Sequence, residues 1–189
     1  MALRNILLDG DPILQKKCRP VEKFDDRLAQ LIDDMAETMI EGNGLGLAAP
    51  QVGVMRRVFV ALEEPPQKKA GARAEEEDGQ DQDDWVVHEF VNPEIIERDG
   101  EQYGYEGCLS FPGEFGAVKR PDKVVVRAQD RHGNTFTMEG QGLMARCFCH
   151  ETDHLDGVTF DTLADYFYDP DVPHELDATL GGREEAEEE

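Results

Sequence analysis

Apolar residues recur at helical spacing in two stretches of the chain and gather at strand length in several others. Leu28, Leu31, Ile32, Met35 and Met39 follow the three-and-four spacing of a single helix face. Asp25 is placed to cap the start of that helix, and Gly42-Asn43-Gly44 ends it. Strand-like runs follow at residues 56–62, 85–91, 101–106, 123–129 and 135–139, the last two joined by a turn around His132-Gly133-Asn134. Between Gln141 and Leu155 the period becomes helical again and stops at Gly157. On a wheel of 100° per residue, Leu143, Cys147, His150 and His154 form one stripe, and Met144, Phe148, Glu151 and Leu155 form its neighbour.

Two stretches break this pattern. Residues 63–84 contain Pro65-Pro66 and nine acidic against three basic groups, and residues 161–189 carry eleven acidic groups against one basic. Neither has the apolar content to order itself, so residues 63–84 read as a flexible acidic insertion and residues 166–189 as an acidic, flexible tail on a single catalytic domain spanning residues 1–165. Most of the formal charge of −23 sits in these stretches. With no basic stripe to offset it, the composition disfavours DNA and RNA as partners. The apolar patch Ile6-Leu7-Leu8 is cut off at once by Asp9, and no run is long enough to span a bilayer. A soluble, cytoplasmic protein without a membrane partner is expected. In that compartment the cysteines at 18, 108, 147 and 149 are expected to be buried or metal-bound, not paired.

The chemistry gathers in three places. His150-Glu151-Thr152-Asp153-His154 puts two imidazoles one helical turn apart, able to face one divalent metal, with a glutamate beside the open position. An accidental pentapeptide on a surface helix would look the same, but these histidines lie on an apolar stripe. The third ligand is open to several readings. One protease pattern places a histidine at position 160, where this chain has Phe160, and another uses a downstream glutamate, for which Glu175 in the tail is the nearest match. Upstream, Glu106-Gly107-Cys108-Leu109-Ser110 offers a lone thiol, either a buried structural cysteine or a thiolate ligand. Finally, Gly44-Leu45-Gly46-Leu47-Ala48-Ala49-Pro50-Gln51 combines small residues, over which backbone can approach a ligand, with an amide able to donate to a developing oxyanion.

Taken together, these motifs resemble the peptide deformylase family, whose signatures are G-x-G-x-A-A-P-Q, E-G-C-L-S and Q-H-E-x-D-H. The Asp11-Pro12-x-Leu14 opening and Pro20-Val21 are similar to the family's amino-terminal region, and the resemblance runs from about Ile6 to about Leu163. It implies an α+β fold with antiparallel or mixed β-sheets around a central helix that carries the histidine motif, plus an additional N-terminal helix. It also implies that Cys108, His150 and His154 hold one metal ion, Fe(II) in the native protein with zinc, nickel or cobalt able to replace it. Glu151 would move protons, and Gln51 with the Leu109 N–H would receive the oxyanion. Gly46 would bind substrate backbone, while Leu45 and Cys147 would line a methionine pocket. The implied reaction is removal of the formyl group from N-formylmethionyl nascent peptides. A zinc endopeptidase and a non-catalytic structural metal site are the competing readings.

The chain departs from the family at Cys149, where the signature has Gln. The wheel puts Cys149 more than 90° from both histidines, so it is not expected to be a fourth ligand. Arg146 and Asp153, seven residues apart, are expected either to pair with each other or to support the metal ligands from behind. The acidic tail makes docking to the ribosome through the C-terminal end doubtful, leaving at most transient proximity to it.

Overall fold

The computed structural model describes residues 2–63, 85–172, 174 and 176. Helix α1 spans Asp26–Glu41. Asp25 caps it as expected, its carboxylate accepting from the backbone N–H groups of Arg27 and Leu28, at 3.1 and 3.2 Å. The helix stops at Gly42, and its buried face carries all five of the periodic apolar residues.

Strands β1 (Gly46–Ala48), β2 (Val58–Glu63), β3 (Val86–Asp99), β6 (Lys123–Gln129) and β7 (Thr135–Gln141) form a five-stranded antiparallel sheet in the order β1-β2-β3-β6-β7. A second, three-stranded sheet has the order β4-β5-β8, from β4 (Gln102–Cys108), β5 (Phe111–Arg120) and β8 (Tyr166–Phe167). Helix α2 (Leu143–Asp156) lies between them and carries the histidine motif. The fold is therefore α+β, built on antiparallel sheets around that helix.

Several elements differ from the sequence expectation, each for a local reason. β3 continues past Val91 to Asp99, because Asn92 takes a positive φ of 52° and the strand resumes its pairing with β6 after a bulge. The Asn92 side chain then holds the N-terminal segment, accepting from the Val21 N–H at 2.7 Å and donating to the Val21 carbonyl at 2.9 Å. β5 is not marked by alternation, since Pro112-Gly113-Glu114 interrupts its apolar residues, yet it pairs along nearly its whole length with β4. The chain also remains ordered beyond Asp165: Tyr166 and Phe167 pair with Ala117 and Gly116. Glu63 closes β2 opposite Val86, so the insertion expected at 63–84 joins two neighbouring strands. Its residues 64–84, like Glu175 and residues 177–189 of the expected tail, lie outside the described set.

The main core sits between the five-stranded sheet and α2. Phe59 stacks on Phe90 with centroids 4.4 Å apart, and Phe148 of α2 meets Phe90 edge-on at 4.9 Å. Phe148 presses so closely on β7 that a Cβ at Gly140 would lie 2.8 Å from its ring. Cys18 and Cys149 are buried in this same cluster. α1 covers a second cluster, with Met35 and Met39 against Val58, Val60 and Leu47. Packing on these clusters thus fixes β1 and α2, two of the elements that carry the site.

Candidate active site and metal centre

Cys108 ends β4, whereas His150 and His154 lie one turn apart on α2. Their ligand atoms all fall within 4.8 Å of one another, and both histidines are buried. The Cys108 Sγ is 3.3 Å from the His154 Nε2. His150 turns its Nδ1 to the Glu106 Oε2, 2.9 Å away, which leaves Nε2 to face Cys108. One thiol and two imidazoles converging on a point is the donor set of a three-ligand metal site with an open position. Among the described residues no other group of this kind occurs, and no fourth protein ligand joins it.

Burial disfavours a charged His150 ring, but contacts with Cys108 and Glu106 outweigh it and raise the pKa well above the ordinary value. His154 has no such carboxylate partner. Its burial, reinforced by the neighbouring His150, pushes its pKa well below the usual value, and its Nδ1 is buried without a hydrogen-bond partner. A cation is the natural counterpart for ligands in this environment, since it binds neutral imidazole directly.

Glu106 is the keystone behind the ligands, and sequence reasoning did not assign it a role. Its carboxylate takes a two-pronged interaction from Arg120, at 2.7 and 3.0 Å, and a third hydrogen bond from Arg146 at 3.0 Å. Burial alone would raise its pKa; Arg120 and His150 overcome that and hold it at about 2. Arg120 also reaches Asp153 at 2.6 Å. Of the two readings of Arg146 and Asp153, the mutual pair does not form, because Arg120 of β5 takes Asp153; Arg146 instead supports Glu106 behind His150. The signal was present in the sequence: Glu106 and Cys108 are two apart on one strand, so they share a face.

Gln51 lies within the tight 3₁₀ turn Ala49–Val52 and is almost completely buried. Its Oε1 accepts from the Ala48 N–H at 2.8 Å, which fixes the amide so that Nε2 points to Cys108 Sγ at 3.3 Å and Ser110 Oγ at 3.1 Å. The Glu151 side chain packs on Gly46, where a Cβ would overlap its carboxylate and sit 2.7 Å from Cδ. Burial raises the Glu151 pKa to about 7, and Oε2 has no protein partner. Leu109 lays its side chain over Gly44, where a Cβ would come within 2.7 Å.

These residues meet in a cavity of about 760 Å³ whose walls include Leu45, Gly46, Cys108, Leu109, Cys147 and Glu151. Leu143, placed on the ligand stripe by the wheel, lies half exposed at its mouth. Phe160, at the position where a protease pattern would have its third histidine, is buried against Phe111 and the His150 ring.

A model of the polypeptide deformylase family matches residues 3–166. The chain belongs to that family. It is 51% identical over 160 residues to a peptide deformylase of Caldicellulosiruptor bescii, covering 85% of this chain and 84% of that protein. With a peptide deformylase of Acetivibrio thermocellus it shares 47% identity over 171 residues, covering 90% and 89%. The crystal structure of peptide deformylase from Thermotoga maritima superposes with a TM-score of 0.73 at 36% identity, covering 88% of this chain and all 100% of that one. A Met-Ala-Ser-bound class I type b peptide deformylase from Acinetobacter baumannii gives 0.73 at 34% identity, covering 86% and 98%. As a deformylase-family chain, this protein belongs to a family of metalloenzymes, and its Cys108, His150 and His154 form the group able to hold the ion.

Proposed function

We propose that this chain hydrolyses the formyl group from the N-terminal formylmethionine of newly made polypeptides, releasing formate and a free amino terminus. The observation that carries the reading is the convergence of Cys108, His150 and His154 beside the Glu151 carboxylate in a peptide-sized cavity. Cys108, His150 and His154 would hold one divalent cation, which supplies Lewis-acid polarisation and makes water nucleophilic near neutral pH. The family resemblance implies Fe(II) as the resident ion, and the mixed thiolate and imidazole set also accommodates zinc, nickel or cobalt.

The protein's own groups account for the rest. Glu151, unpartnered and raised towards neutrality, takes the proton of the attacking water and later delivers it to the departing amine nitrogen. Gln51 Nε2 and the Leu109 N–H stabilise the oxyanion as the formyl carbon becomes tetrahedral. Because Ala48 anchors the Gln51 oxygen, that donor is preorganised and does not have to reorient during the reaction.

β1 and β4 are both edge strands, and both border the cavity, so an extended peptide can run along them with Gly46 binding its backbone. Leu45, Cys147 and Leu143 form the apolar side against which the methionine chain rests. Nascent formylated peptides are the partners of such a site, which points to the cytoplasm and to transient proximity to ribosomes. No described helix is long and apolar enough to cross a membrane.

Replacing Glu151 by alanine tests the assignment. The variant should keep its metal and lose most formate release; a variant that turns over like the wild type would remove Glu151 from the reaction.

A further inference from the structure

Arg146 is the charged residue that the proposed methionine pocket does not need. It stands one helical turn before His150 and lines the same cavity as Leu45, Leu143 and Cys147. Its Nη1 makes all three of its hydrogen bonds to protein: to the Gly104 carbonyl at 3.2 Å, the Val118 carbonyl at 3.0 Å and Glu106 Oε1 at 3.0 Å. Nη2 and Nε have no protein acceptor among the described residues, and neither is sealed from solvent. Gly104 allows this arrangement, since a Cβ there would come within 3.3 Å of Nη2. A fixed guanidinium therefore lines the cavity beside Leu143 and Cys147 with two groups, Nη2 and Nε, from which no described residue accepts.

A purely aliphatic pocket discriminates against an oxygen placed on the methionine sulfur. Burying the S=O group without a donor weakens binding by roughly tenfold to a hundredfold. A donor already held in place removes that penalty, and the sulfoxide oxygen is a strong acceptor. Oxidation of methionine to the sulfoxide is a common lesion that turns an apolar chain into a polar one.

We propose that Arg146 adapts this pocket to N-formylmethionine sulfoxide, so that the chain also deformylates peptides whose first residue has been oxidised at sulfur. The proposal rests on the deformylase reading of the site. The reaction is the same hydrolysis. Water adds to the formyl carbon, the formyl C–N bond breaks, formate leaves and the amine takes the proton, while the S=O bond is untouched and no redox partner is needed.

The test compares kcat/KM for formyl-Met(O)-Ala-Ser and formyl-Met-Ala-Ser with the metal-loaded enzyme. The wild type should process the sulfoxide peptide within about tenfold of the methionine peptide, less than the unmatched penalty. Arg146→Met should lower the sulfoxide-to-methionine ratio a further roughly tenfold to a hundredfold, and Arg146→Lys should restore part of it. Any general damage from loosening Glu106 affects both peptides and cancels in the ratio. A wild-type ratio below about one in ten, or a ratio that Arg146→Met leaves unmoved, overturns the proposal. Calorimetric binding of unformylated Met(O)-Ala-Ser against Met-Ala-Ser to the wild type provides the same comparison without turnover or a variant. If neither formylated peptide releases formate, the deformylase reading fails, and equal or tighter binding of the sulfoxide tripeptide still decides for the pocket.

Discussion

Glu106 Oε2 lies 2.9 Å from His150 Nδ1, and that one contact sets which nitrogen of the ring faces the metal centre. The carboxylate is itself held by Arg120 and Arg146, so the ring is oriented by a buried network that ties β4 and β5 of the smaller sheet to α2. The ring's freedom to turn away from the ion is removed before the ion binds.

Glu106→Gln should therefore weaken metal binding by about 10- to 100-fold, measured by competition with a chelator. It should also lower thermal stability, because two buried guanidinium groups lose their shared counter-charge, an effect on the order of 3–5 kcal/mol. Wild-type metal affinity in this variant would show that His150 is oriented by something else.

At Gly46 the constraint is steric. A methyl group there would collide with the Glu151 carboxylate, which would have to move by a substantial fraction of an ångström or more. Gly46→Ala should keep the metal and the fold but lose about a hundredfold in formate release, the usual consequence of a small misplacement of a reacting group. Metal content and activity measured on the same preparation separate these effects.

The Glu151 pKa has a signature in stability. Burial raises it to about 7 in the folded protein, above the ordinary carboxyl value of 4.5, so the fold favours the protonated form. In metal-free protein its stabilising contribution is full below the unfolded pKa and is lost as pH rises through the folded pKa. Denaturant unfolding of the metal-free protein should therefore show falling stability from about pH 4.5 to about pH 7, by at most about 1.4 kcal/mol per pH unit from this group. The Glu151→Gln variant should lose that component of the slope; an identical slope would place the titration elsewhere.

Phe148 links the site to the core. Truncation to alanine removes its contacts with Phe59 and Phe90 behind α2 and should cost about 3–5 kcal/mol in unfolding free energy. A loss below about 1 kcal/mol would mean that the aromatic cluster is not what positions the helix.

The two helices were legible in the sequence because each buries one face and has a clear start or stop, such as Asp25 and Gly157. The meeting of His150 and His154 was legible for the same reason, since helical spacing fixes which residues share a face. β5 was not, because it lies in a small sheet with an exposed stretch at Pro112–Phe115 and gains its order from pairing with β4. Arg120 stayed hidden with it: which buried charges meet across a sheet and a helix depends on tertiary registration, which no local spacing encodes. Cys108 as third ligand could be argued from its motif, but only the return of β4 to α2 brings its sulfur to the histidines.

The central claim is tested most directly by loading the protein with Fe(II) without oxygen, offering formyl-Met-Ala-Ser, and measuring formate together with new amino termini. Equal amounts of formate and free Met-Ala-Ser, with no internal cleavage of the peptide, are the predicted result. Metal bound at the site but no formate, with Ni(II) and Zn(II) equally inactive, would contradict the account.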